Sequence, residues 1–276
     1  MPGGLYAACR DLDVRDMYIE NINHHVQVYR NRHEKANDQH PKYAQYTDST
    51  THQDTFNRIW WFDSEDGNSA VELVVHPEPV RVSYRTVDEL LSRLYQTHPD
   101  LDLVIHTGIA QLPRAEFLLE KIAHREHYKS PDVDGLLPDP SLSDSETRPG
   151  SLSSSVMLDQ LVERVQDQIS QPINLKVSEN AGRFLCEYIY YSSLLRFENL
   201  TNSNPEPPST SVFKKEEADR ARPRPVLFLH VPPFLDQADI TLGSHVLLDI
   251  IHQVQALHFS SSSDNLYKKF LGSSYD

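Results

Sequence analysis

The chain has 276 residues, 38% apolar and 24% charged, with 18 Pro against 9 Gly and a formal net charge of −14. That charge argues against a sequence-independent grip on nucleic-acid phosphates or anionic lipid, and the mean hydropathy of −0.53 predicts that extended, Pro-rich inserts interrupt the packed part. Cys9 and Cys186 are the two cysteines, too few for a disulfide framework or a CxxC metal site, and no apolar run approaches the roughly 18 residues of a membrane span.

In chain order, residues 1–58 are the least legible. The stretch 17–55 is polar and rich in His and Asn, with no sustained period, so no core is expected there. The acids in MPGGLYAACRDLD are unlike a signal or transit peptide. Order is expected from Ile59-Trp60-Trp61-Phe62 onward. Val71 to His76 reads as a strand closed by Pro77 and Pro79. Thr86 to Tyr95 reads as a helix, with Thr86 as N-cap, Glu89 at the third helical position, and Leu90, Leu91 and Leu94 on one face. Leu101 to Ile105 suits a strand covered on both sides. Phe117 to Ala123 forms a short apolar element of undecided type.

Pro131 to Ser155 is loop by composition. Val156 to Ile169 has helical spacing, Ile173 to Val177 reads as a strand, and Arg183 to Phe197 as an apolar helix. Asn199 to Pro225 is a second polar insert. Val226 to Leu229 is a buried-type strand, and Ile240 to Leu257 the last helix. The alternation predicts an α/β fold: a three-layer, open, mostly parallel sheet with helices on both faces. The expected organisation is a divergent, poorly ordered region 1–58, an α/β domain 59–260 carrying the inserts 131–155 and 199–225, and a tail 261–276.

In such sheets ligands bind beyond the carboxyl ends of the strands, and three residues fall there. Cys186 opens a helix after a short turn, His230 follows the strand at Val226, and Glu120 lies in the element after Leu101–Ile105. A thiol beside an imidazole, with a carboxylate holding the far ring nitrogen, is a nucleophilic triad. Taken singly, each residue has a plainer reading: a Cys in an apolar helix fills core, a His near a Pro shapes a turn, and an isolated Glu is solvated. Glu120, His124 and His127 match no zincin spacing.

Four strings add weight. Ser178-Glu-Asn-Ala-Gly-Arg-Phe-Leu-Cys186-Glu resembles the S-x-x-A-G-x-Y-L-C-N/D segment of the pyroglutamyl peptidase I (pyrrolidone carboxyl peptidase) family of cysteine peptidases, with Phe184 in place of Tyr. Phe228-Leu-His230-Val-Pro232-Pro resembles its F-V/I-H-V-P-P. Leu103-Val-Ile-His106-Thr-Gly108, followed by Leu119-Glu120-Lys-Ile-Ala-His124, resembles its L-V-V/I-H-x-G and L/V-E-K/R-x-A/G-x-N segments. Pro79 to Val87 resembles its P-V-x-Y-x-T-V stretch. The strings fall in the family's order over roughly residues 70 to 257.

The resemblance implies a cytosolic thiol exopeptidase that removes an N-terminal pyroglutamyl (5-oxoprolyl) residue from peptides through a thioester. Cys186 would be the nucleophile, His230 the general acid and base, and Glu120 the residue orienting His230. It implies no metal or organic cofactor, and peptides with N-terminal pyroglutamate as partners, with neither nucleic acid nor membrane; homo-oligomerisation is left open. The family's opening G-F-x-P-F loop, which supplies aromatic walls for the pyroglutamyl ring, and the N-P/A-S string after it are absent from residues 1–70. Two readings therefore stand: an active peptidase, with Trp60, Trp61 and Phe62 as the aromatic cluster able to replace those walls, or an impaired homologue acting as a binding module on a sheet that lacks its first strand.

Overall fold

A computed structural model describes residues 26–32, 45–47, 57–62, 70–76, 79–99, 101–139, 148–197 and 224–259. Cys9, the tail 261–276 and nearly all of the second insert lie outside the described residues. The strands are β1 (Val26–Arg32), β2 (Gln45–Thr47), β3 (Asn57–Phe62), β4 (Ala70–Val75), β5 (Leu103–Ile109), β6 (Glu116–Glu120), β7 (Ile122–His124), β8 (Ser151–Ser153), β9 (Asn174–Ser178) and β10 (Val226–Val231). The helices are α1 (Tyr84–Thr97), α2 (Leu158–Gln168), α3 (Leu185–Phe197) and α4 (Gln237–Val254).

Eight strands form one open sheet in the order β2-β3-β4-β1-β5-β10-β6-β9, and β7 and β8 form a separate hairpin. The α/β class and the helix layers on both faces are as the sequence predicts. The helix-linked neighbours pair parallel, β5 with β10 and β6 with β9. The other neighbours pair antiparallel, so the sheet as a whole is mixed. Chain length explains the reversal at β6, because residues 110–115 are too few for the crossover that would bring it back parallel.

Alternation sorts the core into two clusters. Val104 of β5 and Val226 and Phe228 of β10 pack with α1 and α3, while Leu103, Ile105, Leu227 and Leu229 pack with α2 and α4. All six residues of β10 are buried, as a strand covered on both faces requires. In α1 the apolar stripe is Val87, Leu90, Leu91 and Leu94. Nearly every side chain of α3 from Tyr188 to Leu194 is buried, which matches a helix apolar on all sides.

Several expectations need correction. The slot beside β5 is filled by β1, from the stretch in which no core was expected. Phe117 to Ala123 resolves into two strands. Helix α1 begins at Tyr84 with Ser83 as N-cap, two to three residues before the predicted Thr86. Its first N–H, that of Tyr84, donates to the Asp132 carboxylate at 3.0 Å. Asp132 also accepts from the N–H groups of Asp134 and Leu136, so the first insert folds back and caps the helix instead of running free. The same insert contributes β8. Among the described residues no helix is long and apolar enough to cross a membrane.

Candidate active site

Two strand registers and one helix start build the site. His230 lies opposite Gly108 of β5 and opposite Leu118 of β6. Residues two apart on a strand share a face, so Glu120 projects to the same side as His230 and reaches it diagonally. His230 Nδ1 and Glu120 Oε1 are 2.7 Å apart. His230 is 7% exposed and Glu120 fully buried, so water does not compete for the bond. The second carboxylate oxygen of Glu120, Oε2, is buried with no hydrogen-bond partner among the described residues.

Cys186 comes from the other layer, at the second residue of α3, on the face that carries Phe228. The Cys186 thiol lies close enough to the His230 imidazole to act on its protonation. Burial disfavours the imidazolium and is the largest single influence on it. The hydrogen bonds and negative charge of Cys186 and Glu120 together outweigh burial and push the His230 pKa from its usual 6.5 up to about 10. Phe228 stacks obliquely on the His230 ring at 4.8 Å between centroids and fixes its plane.

Gly108 is the clearance for the sulfur. A Cβ there would stand 2.9 Å from Phe228 Cζ and 3.1 Å from Cys186 Sγ. A glycine inside a strand signals such an approach, and it was readable in the string Leu103 to Gly108. Gly182 and Arg183, just before the helix, take positive φ of 98° and 55° and turn the chain sharply into α3.

The structure therefore brings together all three residues that the sequence singled out. It does not bring Trp60, Trp61 and Phe62 to them. They lie on β3, which β4, β1 and β5 separate from β10; four strand spacings amount to about 19 Å. One charged group went unread. Glu187, fully buried and next in sequence to Cys186, bonds His124 and Arg183. Arg183 stands at i,i+4 spacing from Glu187, but no local pattern announces the bond to His124, 63 residues away.

No family model matches the chain. Pyroglutamyl-peptidase 1 of Rattus norvegicus is 29% identical to it over 147 residues, 53% of this chain and 68% of the rat protein. Pyroglutamyl-peptidase 1 of Homo sapiens shows the same identity and coverage. The crystal structure of pyrrolidone carboxyl peptidase from Fervidobacterium islandicum aligns with a TM-score of 0.47 at 22% identity, covering 64% of this chain and 80% of that one. In sequence the chain is thus similar, over about half of its length, to proteins of the pyroglutamyl-peptidase I family.

Proposed function

We propose that the protein is a cysteine exopeptidase that releases an N-terminal pyroglutamyl residue from peptides, with Cys186 as nucleophile, His230 as general acid and base, and Glu120 as the group that orients and charges His230. The supporting observation is the single imidazole shared by a buried carboxylate at 2.7 Å and the Cys186 thiol. The substrate class is taken from the family.

Cys186 gives its proton to His230 Nε2, and the sulfur attacks the carbonyl carbon that joins the pyroglutamyl residue to the peptide. The N–H groups of Leu185 and Cys186 open α3 and have no acceptor within the helix, so they suit the oxyanion of the tetrahedral intermediate. As the intermediate collapses, the C–N bond breaks and the leaving amine takes the proton from His230. A water then gives a proton to His230 and attacks the thioester. Release of pyroglutamate returns that proton to the sulfur. Glu120 accepts from Nδ1–H, which keeps the neutral imidazole in the tautomer with Nε2 free and the ring in one orientation. No step calls on a metal or organic cofactor, and a free catalytic thiol suits the reducing cytosol.

A second reading, a homologue that binds such peptides without turning them over, is favoured by one feature: the missing G-F-x-P-F and N-P/A-S strings. Loss of the pocket walls costs positioning, and about 1 Å of misplacement costs roughly a hundredfold in rate. Steady-state hydrolysis of a pyroglutamyl aminocoumarin amide, beside binding of the same compound to C186A, separates the two readings. Turnover that disappears in C186A supports the peptidase; binding without turnover supports the alternative.

A further inference from the structure

Among the buried carboxylates that the mechanism leaves unused, one adjoins the nucleophile in sequence. Glu187 follows Cys186 directly, sits in the first turn of α3, and is fully buried. Its carboxylate accepts from the backbone N–H of Arg183 at 2.8 Å and from Arg183 Nη1 at 2.7 Å. It also accepts the backbone N–H of His124 at 3.0 Å and lies 2.7 Å from His124 Nδ1. Four groups from two chain segments thus close on one side chain.

Both segments lead to the triad. His124 ends β7, which follows β6 and its Glu120 after the single residue Lys121. Arg183 is the second of two left-handed residues that aim the chain into α3, three positions before Cys186. A left-handed arginine is strained and persists only where its surroundings hold it. A buried ion pair rarely stabilises a fold more than apolar groups of the same volume would, so plain core packing does not account for this carboxylate. What it does supply is a fixed distance between the segment that carries the nucleophile and the segment that carries Glu120.

We infer that Glu187 is a positioning residue: by clamping Arg183 and His124 it sets where Cys186 Sγ stands against the imidazole that Glu120 holds. The inference rests on the proposed role of Cys186 as nucleophile. Glu187→Gln preserves size but turns one acceptor oxygen into a donor facing N–H groups, so the clamp opens.

The test is the rate at which iodoacetamide alkylates Cys186 at neutral pH, in a Cys9→Ser background, together with thermal melting and kcat and KM on the pyroglutamyl amide. In E187Q the alkylation rate and kcat should each fall roughly tenfold, as a partial loss of positioning would give. KM should stay within about twofold of the parent, and E187D should recover part of the loss. If E187Q does not fold, His124→Gln, which removes the Nδ1 contact of a partly exposed side chain, should lower the alkylation rate in the same direction by a smaller factor. Alkylation at the parent rate in a folded E187Q, or in H124Q where E187Q does not fold, overturns the inference. Slowed alkylation in a chain that never cleaves the pyroglutamyl amide upholds the inference while removing the peptidase reading.

Discussion

Gly108→Ala tests the packing around Cys186, the proposed nucleophile. Gly108 has ordinary backbone angles, so alanine meets no conformational penalty, and everything depends on the new methyl. That methyl would lie 2.9 Å from Phe228 Cζ, 3.1 Å from Cys186 Sγ and 3.3 Å from Phe228 Cε1. Phe228 is 1% exposed and packed in the core, so the ring has little freedom to withdraw. Overpacking of this kind costs about 1–3 kcal/mol, or roughly 2–12 °C in melting temperature for a domain of this size. Activity should suffer more than stability. A sulfur displaced by several tenths of an ångström should lose about tenfold to a hundredfold in kcat/KM, which corresponds to roughly 1.4–2.7 kcal/mol of barrier. The assay pairs thermal melting with hydrolysis of the pyroglutamyl amide. Phe228→Leu in the G108A background removes the ring contacts but leaves the contact with sulfur, so melting should partly recover while kcat/KM does not. Full recovery of activity in the double variant, or parent activity in G108A itself, would refute the assignment of Gly108 as clearance for Cys186.

Glu120→Gln keeps an acceptor for His230 but removes the charge that stabilises the imidazolium; kcat should drop by about a hundredfold or more with melting little changed, and equal activity would remove Glu120 from the triad. The raised His230 pKa makes a further demand on stability. A folded state that holds the imidazole proton more tightly than the unfolded chain keeps that stabilisation in full below the unfolded value near 6.5 and loses it as pH rises through about 10. The melting temperature of the parent should therefore fall more steeply than that of His230→Gln between neutral pH and pH 10, and parallel slopes would contradict the pairing. Asp132→Ala should remove the cap that the first insert places on α1 and lower stability by about 1–2 kcal/mol, measured by urea unfolding; a change near zero would mean that the insert does not brace the helix.

Legibility followed the range of the forces involved. The elements that bury a continuous apolar surface, α1, β5, α3, β10 and α4, announce themselves by composition and spacing, with errors of a few residues at their ends. His230 was expected just beyond its strand and lies inside it, because β10 runs on to Val231. Cys186, His230 and Glu120 were readable through the strings that surround them. What escaped is set by distant partners. β1 has no apolar period of its own and owes its place to pairing with β4 and β5, an instance of context overriding propensity. Ser151 to Ser153 is loop by composition and strand only because Ile122 to His124 lies alongside. The cap on α1 comes from Asp132, 48 residues downstream of the N–H it accepts. The Glu187 clamp joins groups on two segments; Arg183 is its i,i+4 neighbour, but nothing local marks the pairing with His124.

The most direct test of the central claim is release of aminocoumarin from its pyroglutamyl amide by the purified chain, alongside C186A and a prolyl amide that lacks the lactam carbonyl. The account predicts turnover of the pyroglutamyl amide that vanishes in C186A, no turnover of the prolyl amide, and a trapped thioester or alkyl adduct mapping to Cys186. Hydrolysis that persists in C186A, or an intact and alkylatable Cys186 with no turnover of the pyroglutamyl amide, would contradict it.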